Sequence, residues 1–132
     1  MSADPLLIAA TAARNKAFAP HSNFKVGAAI ETVDGQITSG CNIELASFGL
    51  TCCAERVAIF KAYSDGQRKF RRIAVVTDTP QIVTPCGACR QVIWELCGDI
   101  EVLLRNLKGD QYVISANELL PYAFDSSVLP KK

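Results

Sequence analysis

Two short cysteine-bearing stretches constrain this chain more than anything else in it: TCCAER at residues 51–56 and TPCGACRQ at residues 84–91. Together they hold four of the six cysteines. Cys86 and Cys89 are three residues apart where Thr84 and Pro85 open a helical pattern, so both thiols face one side of a first helical turn. Cys53 opens a second apolar helical pattern that runs through Ala54, Val57, Ala58, Ile59, Phe60 and Ala62 to about Tyr63. The free amides and positive end of a helix N-terminus favour a thiolate. A fold that brings these two helix starts together gathers three thiolates around one point.

Four chemistries use cysteines at this density. Six cysteines in a chain that reads as unexported are more consistent with free, ligating or catalytic thiols than with disulfides. A redox pair suits a C-x-x-C motif, but Gly87-Ala88 places neither an aromatic nor a basic residue between the sulfurs. A closed structural zinc site needs a fourth ligand from Cys52, Cys41, Cys97 or His21; side chains of adjacent residues diverge, and His21 follows a proline in a polar loop. Three protein ligands leave a coordination position for water, the arrangement of catalytic zinc. Glu55 favours that open reading. A carboxylate two residues after Cys53, on an otherwise apolar helix, can exchange protons with water at the metal.

The rest of the chain bounds the setting. A length of 132 residues fits one domain spanning 1–132, able to bury roughly 68% of its unfolded surface. With 14 basic against 13 acidic side chains there is no excess positive charge of the kind that grips nucleic acid. No segment approaches the run of about 18 apolar residues that spans a membrane, and the N-terminus lacks a basic leader, so a cytoplasmic protein without membrane partners is expected.

Asp4-Pro5 is a helix start, and Leu6, Ala9, Ala10, Ala13 and Ala17 extend the pattern toward Pro20. Phe24 to Ile30 and Ile37 to about Ile43 flank Asp34-Gly35, an N-terminal antiparallel hairpin. Further strands are expected at Ile73–Val76, Glu101–Leu104 and Gln111–Ile114, and a short helix with Ser115 and Glu118 as its capping box. This order predicts an α/β fold, three layers α-β-α around a mixed five-stranded sheet.

Cys53-Ala54-Glu55 with Pro85-Cys86-Gly87-Ala88-Cys89 resembles the signature of the zinc-dependent nucleoside and nucleobase deaminases, whose chemistry is well established for that superfamily. FKVGAA at 24–29, GCNIE at 40–44 and LLPYAF at 119–124 extend the likeness to the short, all-cysteine cytidine deaminases over nearly the whole chain. The resemblance implies hydrolysis of cytidine or deoxycytidine to uridine or deoxyuridine plus ammonia. It implies one Zn²⁺ per chain on Cys53, Cys86 and Cys89, with Glu55 moving the proton to ring N3 and then to the departing amine. It also implies that Asn42 and Glu44 hold the ribose hydroxyls, Phe24 flanks the base and the Ala54 amide reaches the base carbonyl. Members of this length are homotetramers whose pockets borrow aromatics, here Phe48 and Phe124. The alternatives are a deaminase of another amino-heterocycle and a non-catalytic zinc-stabilised domain.

Three thiolates and one Zn²⁺ sum to −1, so a positive group should compensate if bound water is to ionise near neutral pH. Arg56 is expected to donate to one or more cysteine sulfurs, with Arg90 the second candidate.

Overall fold

The computed structural model describes residues 4–130. Helix α1 (Pro5–Arg14) begins where Asp4 Oδ1 accepts from the Leu6 amide at 3.0 Å. It stops well before Pro20. The amides of Lys16 and Ala17 make tight bonds to the carbonyls three residues back, at 2.9 and 3.1 Å, and Phe18 then leaves to pair with the backbone of Asn42 and Glu44. The alanine spacing extends past the true end because Ala17 is half-buried in an extended segment rather than on a helix.

Strands β1 (Val26–Thr32) and β2 (Ile37–Cys41) form the expected hairpin, with Gly35 at φ 90° in its turn. Then follow α2 (Ala54–Ser64), β3 (Phe70–Thr77), α3 (Gly87–Cys97), β4 (Glu101–Asn106), β5 (Gln111–Ser115) and α4 (Ala116–Leu119). The Ser115–Glu118 capping box at α4 is present with both of its bonds. The sheet order is β2-β1-β3-β4-β5, in which only β3 and β4 are parallel. This is the mixed five-stranded sheet of the α/β class. Among the described residues, no helix is long and apolar enough to cross a membrane.

Side chains alternate between the sheet's two faces, and each face has its own core. On one side Leu6, Leu7 and Ala10 of α1 pack on Ala29, Ala74, Val76 and Leu103. On the other, Ala54, Ala58, Ile59 and Ala62 of α2 and Ile93 of α3 cover Ala28, Ile30, Ile73, Val75 and Val102. Strand β1 is therefore buried along its whole length. A bidentate pair from Arg72 to Asp4 at 2.6 and 2.8 Å, with Glu31 accepting from Arg72 at 2.5 Å and Arg71 at 2.8 Å, ties the start of α1 to β1 and β3. Hydrogen bonds from Arg71 and then Arg72 hold the Glu31 carboxyl below its ordinary range.

Two glycines set how closely the helices approach. A Cβ at Gly27 would lie 2.0 Å from the Ala10 carbonyl oxygen, and one at Gly40 would lie 2.7 Å from the Ala58 amide nitrogen. Gly27→Ala should therefore lower stability by about 3 kcal/mol or more, the upper end for overpacking. Gly49→Ala, whose added carbon meets nothing within 4 Å, should be close to neutral. Denaturant midpoints of the two variants measure the difference.

Candidate active site

Cys53 and Cys86 are the N-cap residues of α2 and α3, each extended at φ −72° and −66°, and Cys89 lies in the first turn of α3. Because α2 and α3 cover the same face of the sheet, their N-termini meet. The three sulfurs lie within 4.8 Å of one another, and Cys53 Sγ is 3.7 Å from Cys86 Sγ. Zinc–sulfur bonds of about 2.3 Å in tetrahedral geometry separate two sulfurs by about 3.8 Å, so the spacing and the soft donor set both fit Zn²⁺. Cys52 is not in the cluster. Its backbone pairs with Ile43 in both directions at 3.0 Å, which turns its side chain away from that of Cys53. The N-cap of α2 makes no side-chain capping bond, and Cys52 is half-buried on the lining of the neighbouring cavity. All six cysteines are free thiols; burial pushes the Cys97 thiol, at the end of α3, up to about 12.

The cluster forms one wall of a cavity of about 390 Å³, within the range of small-molecule sites. Cys53, Cys86, Ala54 and Glu55 line it from the helix ends, and Phe24, Asn42 and Glu44 line it from the hairpin side. Val26 and Thr77, adjacent partners at one end of β1 and β3, form part of its base. Cys89 is fully buried beneath. Asn42 is tied to the backbone: its Oδ1 accepts from the Val26 amide at 2.9 Å and its Nδ2 donates to the Phe24 carbonyl at 2.8 Å. One Nδ2 hydrogen remains to donate. Phe48, 72% exposed, lines an adjoining depression with His21, Ser22, Glu44 and Thr51 rather than the main cavity. Phe124, 58% exposed, lies outside both, its carbonyl held by Gln91 Nε2 at 2.7 Å. His21 stands exposed with its ring edge-to-face on Phe48 at 5.5 Å. Ser22, Thr51, Thr77 and Thr84 also line the cavity and were not singled out from the sequence. Small hydroxyl residues in loops and strand ends carry no spacing that marks them.

Charge in the site is sharply divided. Arg56 Nη2 donates to Cys53 Sγ at 3.4 Å, as expected for a group that balances thiolate charge. Arg90 does not serve this way: its guanidinium donates to the Pro85 carbonyl at 2.7 Å, the Leu119 carbonyl at 2.9 Å and the Thr84 hydroxyl at 2.7 Å. It is consumed in joining the loop before α3 to α4. A hydrogen bond from the Cys89 thiol, aided by Arg56, holds the Cys53 thiol below its ordinary range, while Cys89 as the donor is held up. Glu55 is only 5% exposed, and burial pushes its carboxyl up to about 7. A carboxyl so placed changes protonation near neutral pH, the range in which a proton shuttle works best.

Residues 2–104 match the sequence model of the cytidine and deoxycytidylate deaminase zinc-binding region. The chain belongs to this family. Among curated members it is 54% identical over 125 residues to a cytidine deaminase of Halalkalibacterium halodurans, covering 94% of this chain and 95% of that protein. It is 50% identical over 130 residues to a cytidine deaminase of Sporosarcina psychrophila, covering 98% and 96%. The crystal structure of cytidine deaminase from Burkholderia pseudomallei superposes with a TM-score of 0.89 at 54% identity, covering 94% of this chain and all of that one. The deaminase fold thus carries the α-β-α architecture, and zinc is the cofactor of the region containing the cysteine cluster.

Cys53→Ala, Cys86→Ala or Cys89→Ala should each abolish stoichiometric zinc, whereas Cys52→Ala should keep it. Metal analysis of dialysed protein distinguishes these outcomes.

Proposed function

We propose that this protein hydrolyses cytidine and deoxycytidine to uridine and deoxyuridine, releasing ammonia, in cytoplasmic pyrimidine salvage. The observation behind this is one cavity that joins a three-thiol cluster, the buried Glu55 carboxyl and a polar end formed by Ser22, Asn42 and Glu44. Its free thiols suit a reducing compartment. In the net reaction the bond from C4 to the exocyclic amine breaks and a C4–oxygen bond from water forms. Cys53, Cys86 and Cys89 would hold the Zn²⁺, which when bound would supply a Lewis acid able to lower the pKa of water toward neutrality.

The chain's own groups do the rest. Glu55, held near neutral by burial, takes a proton, places it on ring N3 and then delivers one to the departing amine. The Ala54 amide, at the first position of α2 where no intrahelical acceptor exists, donates to the base carbonyl. Phe24 lies against the base. At the other end Asn42 donates its remaining N–H to a sugar hydroxyl and Glu44 accepts from it. The contact reads a hydroxyl common to both sugars, the ring-fixed 3′-OH, so it serves ribose and deoxyribose alike. Arg56, donating to Cys53, draws electron density off that sulfur and offsets the site's negative charge.

Homotetramer assembly completes the reading. Phe48, Phe124 and Tyr122 are each exposed on one chain, available for contact with neighbouring copies and their pockets.

Glu55→Gln should keep one zinc per chain and lower ammonia release by about 10²–10⁴-fold. Retained turnover would remove Glu55 from the chemistry. Arg56→Gln should also keep its zinc and lower kcat by about 10–100-fold. Loss of a positive charge makes the site's acids weaker, so the rising limb of the pH–rate profile should move to higher pH. An unmoved profile would show that Arg56 has no electrostatic part.

A further inference from the structure

We propose that Ser22 is a positioning residue for the sugar end of the cavity, a role that rests on the nucleoside reading above. Its hydroxyl joins the two segments that build that end. It donates to Glu44 Oε2 and accepts from the Phe24 amide at 3.0 Å. The amides of His21 and Ser22 both donate to Glu44 Oε1, each at 3.0 Å. Three donors from two consecutive residues therefore hold one carboxylate.

Their arrangement defines what Glu44 can do. An ionised carboxylate offers about four acceptor sites, two on each oxygen. The two amides fill Oε1 and the Ser22 hydroxyl takes one site on Oε2, leaving one acceptor site for a ligand. Protonating Glu44 would disrupt this set of donors, so it remains a pure acceptor; the Ser22 hydrogen bond is the first cause that holds its carboxyl below the usual range. The loop geometry supports the same arrangement. Asn23 adopts φ 56°, a left-handed conformation that asparagine tolerates, and its amide donates to the Ala19 carbonyl at 2.9 Å. That reversal presents the backbone of residues 21 and 22 to Glu44. Asn42, held by the Val26 amide and the Phe24 carbonyl, keeps one N–H to donate beside it. The pair therefore recognises a hydroxyl that accepts from Asn42 and donates to Glu44, and Ser22 sets the carboxylate angle on which the second bond depends.

Ser22→Ala removes one donor and leaves both amides, so the carboxylate can rotate about Oε1 and the Phe24 amide loses its partner. The test compares deoxycytidine with 2′,3′-dideoxycytidine, which lacks the 3′-hydroxyl. In Ser22→Ala, kcat/KM for deoxycytidine should fall by about tenfold or more, mainly through KM, and the preference for deoxycytidine over the dideoxy compound should shrink by a similar factor. Ser22→Thr, which keeps the hydroxyl, should recover most of that preference. Zinc content and thermal midpoint report that the variants are folded and loaded. Equal losses on both substrates, no loss on either, or failure of Ser22→Thr to recover the preference would overturn the Ser22 role alone. Absence of deoxycytidine turnover by the unmodified enzyme would overturn the nucleoside reading and this role with it.

Discussion

The meeting of two helix N-termini at three thiols is the constraint on which the rest of this structure depends. Three sulfurs gathered within 4.8 Å repel one another once ionised, and the protein offsets this in two ways. Cys53 and Cys86 occupy N-cap positions, where unpaired amides and the positive ends of α2 and α3 favour negative charge. Arg56 adds a full positive charge at 3.4 Å from Cys53. A bound Zn²⁺ would supply the remainder. Placing ligands at caps also keeps them rigid, because each is fixed by the first turn of a helix packed on the sheet.

That meeting requires α2 and α3 to lie on one face of the sheet with their N-termini at the same end. The β3–α3–β4 crossover places α3 there, and the β2–α2–β3 crossover, passing over β1, places α2. Close approach depends on small residues. Ala54, Ala58 and Ala62 form the inward face of α2, and Gly40 on β2 has no room for a side chain against Ala58. The opposite helix is seated the same way, by Gly27 against Ala10 and Arg14. Glycine and alanine contribute little apolar area themselves, yet they let the backbones come close enough for Ile59, Ile73 and Ile93 to fill the space between. The position of the cysteine cluster and Glu55 is thus a consequence of packing several residues away from them.

Much of this was legible in the sequence, because its signals are local. A cap residue followed by proline, the Asp34-Gly35 turn and the Ser115–Glu118 box each act over a few residues, and each stands where the spacing puts it. The preference for Cys53 over Cys52 came from its spacing to Glu55, an equally local signal, and the three-sulfur cluster contains Cys53 and not Cys52. The end of α1 was not legible. Its alanine pattern continues beyond Arg14, and what stops the helix is the pairing of Phe18 with residues 42 and 44, a contact across more than twenty positions of chain. Nor was the fate of Arg90, whose partners at Pro85 and Leu119 are known only once α3 and α4 are packed together. Ser22 escaped notice because a lone serine before a strand has many ordinary uses. Its meaning comes from the carboxylate brought to it from residue 44.

The central claim is that three thiolates, and no fourth protein sulfur, hold a metal with a position open to water. Zinc X-ray absorption on the loaded protein measures this directly. The account predicts three sulfur scatterers at about 2.3 Å and one oxygen or nitrogen scatterer at about 2.0 Å. A shell of four sulfurs would make the site closed and structural, and would contradict the account.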